Sequence, residues 1–249
     1  PKLSRKIFPC WPDAVIAISS QVKEHLICDF KLDEKKISVI NNGIDVANFG
    51  DFSAREKMRQ ALGVNDAHLV GIIARLSDVK GHIYLLQAMQ SVIKTFPSVK
   101  LLIVGEGKTK DALVKEADDL GIKGNVLFLP EAENTRDILA AMDIFVMPSL
   151  QEGLGLALME AMAQGLAVVG SDVGGIKSLI RDKITGLLVK PADPLGLSRA
   201  ISDLLSDNAK RGLLAENARE FIINNFSQEK MADQTERVYL RCLELRKAR

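Results

Sequence analysis

Two carboxylates, Glu152 and Glu160, stand eight residues apart where little else can ionise: besides Glu160, the only titratable side chain between Gly153 and Ile176 is Asp172. Leu156 to Ala163 is a run of strong helix formers, nearly all apolar, which predicts a helix buried on most sides. A carboxylate inside such a helix is costly unless something satisfies it. Either a neighbouring Lys or Arg pairs with Glu160, or hydroxyl groups of a ligand do. The glycines ahead of the helix favour the ligand. Gly153 and Gly155 let a backbone approach a bound group closely, and the N–H groups of residues 154–156 open outward at a helix start, which suits a pyrophosphate. Glu160, further along the same helix, is then placed for the vicinal hydroxyls of a ribose. Glu152 faces whatever is attached beyond the phosphates.

Such a site needs a scaffold, and the chain supplies a strand–helix alternation from Leu69 onward. Strands are expected at Leu69–Ala74, Val99–Val104, Asn125–Leu129, Asp143–Met147, Ala167–Val169 and Thr185–Val189. Helices are expected near 82–96, 109–120, 134–141, 155–164 and 175–181, and three more, near 194–206, 208–225 and 228–247, close the chain. The first is amphipathic, with Leu85, Leu86, Met89, Val92, Ile93 and Phe96 at helical spacing. Continuous apolar strands alternating with helices specify a parallel sheet covered on both faces, with ligands bound beyond the strands' carboxyl ends. Ahead of this unit lie a short strand within 13–18, a helix capped by Ser19-Ser20, and a second strand at 37–40 that ends in the turn Asn41-Asn42-Gly43. Residues 45–66 read as a linker with one short helical piece.

The other strand-end loops are less explicit. Arg75-Leu-Ser-Asp-Val-Lys80-Gly81 places two cations before a helix N-terminus, as a phosphate site requires; taken alone, a solvated loop with surface cations explains it better, because such pairs are common. Gly105-Glu106-Gly107 begins like a dinucleotide fingerprint but has Lys110 where the third glycine belongs, so it reads mainly as a tight turn and only secondarily as a border of the ligand. The loop Pro130-Glu131-Ala132-Glu133-Asn134 serves equally as a turn or as a bed for a nucleotide base. Gly174 and Gly175 are expected to face the same cleft, and Asp172 to belong to a plain turn.

Composition narrows the function. With 249 residues, nearly half of them hydrophobic, the chain can bury a sizeable core, and a net charge of +1 gives no bulk attraction to nucleic acid or anionic lipid. Cys10, Cys28 and Cys242 are odd in number and lack metal spacing, which argues for a reducing compartment. No apolar run approaches a membrane span. His25, His68 and His82 are scattered, no Asp-x-Asp pair is present, and no Gly-x-Ser-x-Gly elbow exists. The chain opens at Pro1 and runs quickly into a strand, as a fragment of a longer protein would.

Taken together, Asn42-Gly43-Ile44-Asp45, Arg75-Leu76 with Lys80-Gly81, Gly105-Glu106-Gly107, Pro148-Ser149, the Glu152-x7-Glu160 pair, Gly174-Gly175 and Thr185-Gly186-Leu187-Leu188-Val189 with Pro191 resemble the C-terminal domain of retaining glycosyltransferases of family 4, also called glycosyl transferases group 1. The resemblance implies a GT-B fold, whose two Rossmann-like domains face each other across a cleft, and a nucleotide-diphosphate sugar as donor. It implies that Arg75 and Lys80 neutralise the pyrophosphate, assisted by the N–H groups of Leu154, Gly155 and Leu156. Glu160 would hold the ribose, Glu152 the transferred sugar, and Gly105 and Glu131 would border the nucleotide. No metal or other cofactor is expected.

The corresponding domain division is 1–48 as the last strand–helix–strand of an N-terminal domain, 49–66 as linker, 67–226 as the nucleotide-sugar-binding domain and 227–249 as a helix crossing back. Two departures stand out. Gly165 is followed by Leu166 where the family usually has proline, and most of the N-terminal domain has no counterpart. The expected partners are the donor, an acceptor that is a glycan, lipid or small molecule, and the missing N-terminal domain, but not nucleic acid. The expected location is cytoplasmic, or peripheral at the inner face of a membrane. The alternatives are a GT-B-like nucleotide-sugar epimerase and a nucleotide-sugar-binding module inactive by itself.

Overall fold

The computed structural model describes residues 12–130 and 134–247. Two parallel sheets organise the chain. The smaller pairs β1 (Val15–Ala17) with β2 (Ile37–Val39), joined by α1 (Ser20–Cys28), whose first turn is capped by the Ser19 hydroxyl. The connecting segment carries α2 (Arg55–Ala61).

The larger sheet contains β3 (Leu69–Ile73), β4 (Lys100–Val104), β5 (Val126–Leu129), β6 (Ile144–Met147), β7 (Ala167–Ser171) and β8 (Leu187–Val189), in the order β5-β4-β3-β6-β7-β8. Its helices are α3 (His82–Thr95), α4 (Lys110–Asp119), α5 (Thr135–Ala141), α6 (Leu156–Gln164), α7 (Ile176–Leu179), α8 (Pro194–Ser206) and α9 (Asn208–Asn225). Successive strand residues point to opposite faces, so each central strand feeds two cores. Val70, Ile72, Leu101, Ile103, Ile144 and Val146 pack with α3 and α8 on one face. Leu69, Leu102, Val104, Phe145 and Met147 pack with α5, α6 and α9 on the other. The expected amphipathic helix is α3, with Leu85, Leu86, Met89 and Val92 buried.

Three expected elements change their bounds by two residues or more. The helix expected at 175–181 is only the four-residue α7, because Ile180 is extended and the Arg181 N–H is taken by the Thr185 hydroxyl at 2.8 Å. That turn also holds Thr185 out of the following strand, which starts at Leu187. In contrast β7 runs on to Ser171, since Gly170 and Ser171 still find partners in Leu188 and Val189.

The last helix, α10 (Gln228–Lys247), leaves the larger unit and returns to the smaller one. The two crossings are stitched together: Ile44 N–H donates to the Phe226 carbonyl and Gln228 N–H to the Ile44 carbonyl, both at 2.9 Å. Among the described residues no helix is long and apolar enough to cross a membrane.

Candidate functional site

The order of the larger sheet reverses between β3 and β6. The chain builds outward from β3 through β4 to β5, then returns to add β6 on the other side. At such a switch point adjacent strand-end loops diverge and leave a crevice. Here the loops are 74–81, after β3, and 148–155, after β6. The Leu150 N–H donates to the Val79 carbonyl at 2.8 Å, which ties them side by side. Gly81, in the left-handed region at φ 70°, has no room for a β-carbon against the Pro148 carbonyl, so glycine there allows the contact.

This juxtaposition brings together two residues 72 positions apart. Lys80 Nζ lies 2.6 Å from Glu152 Oε2, and Ser149 Oγ donates to the same oxygen at 3.4 Å. The side chains of Lys80 and Glu152 retain 21% and 12% of their exposure, enough screening loss for a strong charge-assisted bond. They line a cavity of about 900 Å³ together with Arg75, Gly153, Gly174 and, from α1, Gln21.

The helix start predicted from the glycines is present. Gly155 occupies the N-cap of α6 at φ 90°, and no side chain caps the turn. The Leu158 and Met159 N–H groups both bond to the Gly155 carbonyl, leaving the preceding amides of the turn directed to the helix end, where an anion is favoured. Leu154 is buried and Leu156 is 48% exposed. Gly175 N–H donates to the Glu152 carbonyl at 3.0 Å, so the loop after β7 backs the Glu152 loop. Asp172 pairs with Lys177 at 3.2 Å, within the turn expected of it.

Glu160, half-buried on α6, has no cation beside it among the described residues. Its carboxylate accepts from Thr135 Oγ1 at 3.2 Å. Burial pushes its pKa above the ordinary value, and the hydroxyl acts against that rise. Of the two partners open to Glu160 in the sequence, the ion pair is not the one found. Thr135 lines a second cavity of about 300 Å³ with Ala74, Arg75, Val104, Gly105 and Glu106. Arg75 therefore borders both cavities, and Gly105 borders the smaller one. The turn reading of Gly105-Glu106-Gly107 holds as well, since Leu76 N–H donates to the Glu106 carbonyl at 2.8 Å. Glu131 lies outside the described residues.

Two residues of this region were given no role from the sequence, although His82 stands next to the Lys80-Gly81 loop there. Thr135, a single hydroxyl at a helix start, carries no motif. His82, the first residue of α3, is 2% exposed, and among the described residues neither ring nitrogen has a hydrogen-bond partner. Burial and then the nearby Lys80 charge push its pKa down to about 4, so the imidazole is neutral at pH 7. Among the described residues no group of three or more His, Cys, Asp and Glu side chains is arranged to hold a metal ion.

This architecture recurs in known proteins. Residues 54–221 match the family model of glycosyl transferases group 1, and residues 2–48 match that of glycosyltransferase family 4. An uncharacterized glycosyltransferase of Methanocaldococcus jannaschii is 32% identical across 93% of this chain and 60% of its own length. A D-inositol 3-phosphate glycosyltransferase of Corynebacterium urealyticum is 33% identical across 82% of this chain and 51% of its own. The crystal structure of Anabaena HepE in complex with UDP superimposes with a TM-score of 0.87 at 27% identity, over 92% of this chain and 64% of that one. The chain thus spans about half to three-fifths of the length of the curated relatives it matches. From the family match over more than half of its residues and the shared parallel-sheet architecture, the chain belongs to the glycosyl transferases group 1 family of GT-B glycosyltransferases.

Proposed function

We propose that this chain is the donor-binding half of a metal-independent retaining glycosyltransferase that moves a sugar from a nucleotide-diphosphate sugar to an acceptor. The observation that carries the reading is the placement of Glu160. It is a half-buried carboxylate without a cation among the described residues, bonded to Thr135, which lines the smaller cavity; it sits on a helix whose start has no side-chain cap and follows directly on the Glu152–Gly153 loop that lines the larger cavity with Arg75 and Lys80. In this reading the ribose hydroxyls bond to Glu160 and the base enters the 300 Å³ cavity beside Gly105, with Glu131 in the adjoining loop. The diphosphate lies against the Leu154, Gly155 and Leu156 amides.

The chemistry follows from charge. As the sugar–phosphate bond breaks, negative charge grows on the departing diphosphate, and Arg75, Lys80 and the helix start stabilise it where it grows. These groups supply the positive charge, so the reading invokes no metal. Glu152 bonds to hydroxyls of the transferred sugar. The donor phosphate itself helps to deprotonate the acceptor on the face that the leaving group vacates, which retains the anomeric configuration.

Donor binding must exchange one pairing for another. In the free chain Lys80 and Glu152 neutralise each other; in the complex Lys80 turns to phosphate and Glu152 to the sugar. The ion pair thereby keeps both side chains ordered before the donor arrives, lowering the entropy lost on binding.

Residues 1–48 and 227–249 are read as belonging to the partner domain. The two-stranded β1–β2 sheet is too small to be stable alone, and α10 exposes Tyr239, Leu240, Leu243 and Leu245 beside it. The rest of an N-terminal domain would cover these groups and read the acceptor. Such an enzyme works in the cytoplasm or at the inner face of a membrane.

Calorimetry of the chain with UDP-, GDP- and ADP-sugars tests the donor assignment. One of the three binds with micromolar to millimolar affinity and little sugar is transferred; silence with all three sinks the reading. Structures of HepE hold UDP and UDP-glucose, so uridine diphosphate is the first nucleotide to try.

A further inference from the structure

We infer that Thr135 is a positioning residue for donor binding, holding Glu160 as an oriented carboxylate for the ribose hydroxyls. The inference rests on the donor reading above and adds a residue to it. Thr135 opens α5, whose first turn is independently secured by Asn134: its side-chain oxygen accepts from the Asp137 N–H at 3.4 Å and its amide donates to the Asp137 carboxylate at 2.8 Å. The Thr135 hydroxyl is therefore not needed as a helix cap, and it is spent on Glu160 Oε2 at 3.2 Å, across 25 residues of chain.

The chemistry of a diol explains why this bond matters. Two vicinal hydroxyls donate two hydrogen bonds, so their partner must be acceptor-only, which is the ionised carboxylate and not the acid. Burial works against that form. A donor fixed on one carboxylate oxygen favours the charged form and leaves the other oxygen, and the remaining lone pair of the first, for the ligand. Thr135 also borders the smaller cavity with Arg75 and Gly105. The residue that orients the carboxylate thus stands at the junction of the ribose and base positions.

The replacement Thr135→Val keeps the shape and removes the hydroxyl, and Thr135→Ser restores the hydroxyl without the methyl. Both are compared with the parent chain and with Glu160→Gln by calorimetry, using UDP and 2′,3′-dideoxy-UDP. Loss of one hydrogen bond to an oriented acceptor predicts that Thr135→Val weakens UDP binding about two- to tenfold, leaves dideoxy-UDP binding unchanged, and is rescued by serine. Equal weakening for both nucleotides would show a general disturbance of the cavity and overturn the inference. So would UDP binding at parental strength in Thr135→Val while Glu160→Gln weakens it; in that case the donor reading stands. If Glu160→Gln also leaves UDP binding intact, the donor reading and this inference fall together. An unchanged melting temperature for Thr135→Val separates these outcomes from misfolding.

Discussion

The two ends of the larger sheet both carry buried charge, and they treat it oppositely. At the amino ends of the strands, Asp143 receives Arg55 at 2.5 Å, Arg59 at 3.3 Å and the Leu69 N–H at 2.7 Å. Arg59 in turn donates to the carbonyls of Asn65, Ala141 and Ala67. Burial alone would raise the Asp143 pKa, but the Leu69 amide and the two guanidinium groups outweigh it and hold the carboxylate below its ordinary value. At the carboxyl ends, among the described residues, Lys80 and Glu152 have chiefly each other, Glu160 has one hydroxyl, His82 has no hydrogen-bond partner, and the start of α6 has no side-chain cap. Where the fold satisfies every charge, the charge serves the fold. Where bonding capacity is left open beside a cavity, it is available to a ligand, as the proposed donor site requires.

The sharpest way to break this contrast is at the amino end. Arg59→Ala strands part of Asp143 and three carbonyls, and is expected to lower stability by about 3–5 kcal/mol in urea unfolding; a loss below about 1 kcal/mol would show that this cluster is not structural. The pH dependence has a definite sign. Because the folded-state pKa of Asp143 lies below the ordinary value of 3.8, its stabilisation is complete above that pH and is lost as pH falls through the lower, folded value. The gap between parent and Arg59→Ala should therefore narrow only in that acid range.

The next effect is at the carboxyl end. Lys80→Ala should cost about 1.5–3 kcal/mol of donor binding while changing stability far less than Arg59→Ala does. A large drop in melting temperature with intact donor affinity would make Lys80 structural and erase the difference between the two ends.

The smallest effect carries the most telling sign. The Glu160 pKa is raised by burial, so ionising it opposes folding: stability is greatest below the ordinary carboxylate value of 4.5 and falls as pH rises through the folded value. Glu160→Gln removes that penalty and still accepts from Thr135. It should melt slightly higher than the parent at pH 7 while binding the donor nucleotide more weakly. Lower stability together with unchanged affinity would mark Glu160 as a fold residue.

Much of the fold was legible because it is written in short-range patterns. The buried strands announce themselves as apolar runs and α3 by its 3.6-residue spacing. The boundary errors fell where a side-chain bond or a neighbouring strand decided the matter, as when the Thr185 hydroxyl took the Arg181 amide and kept α7 short, or when β8 extended β7 to Ser171. In the site, the glycine turn and the Glu152–Glu160 spacing were local and visible. The question left open at Glu160, cation or ligand, depended on which side chains α5 brings to α6, and the sequence has no local mark for that.

By itself, then, the sequence determined the alternation of strands and helices, the anion-favouring start of α6 and the presence of an unusual carboxylate within it, because each depends on residues within a few turns of one another. The tertiary structure alone decided the strand order β5-β4-β3-β6-β7-β8, and with it everything that meets across the switch point. Placing β6 beside β3 joins Lys80 to Glu152 over 72 residues and sets Arg59 against Asp143 at the opposite end. Such meetings follow from how the whole sheet buries its two faces. No window of sequence short enough to show a period can encode them.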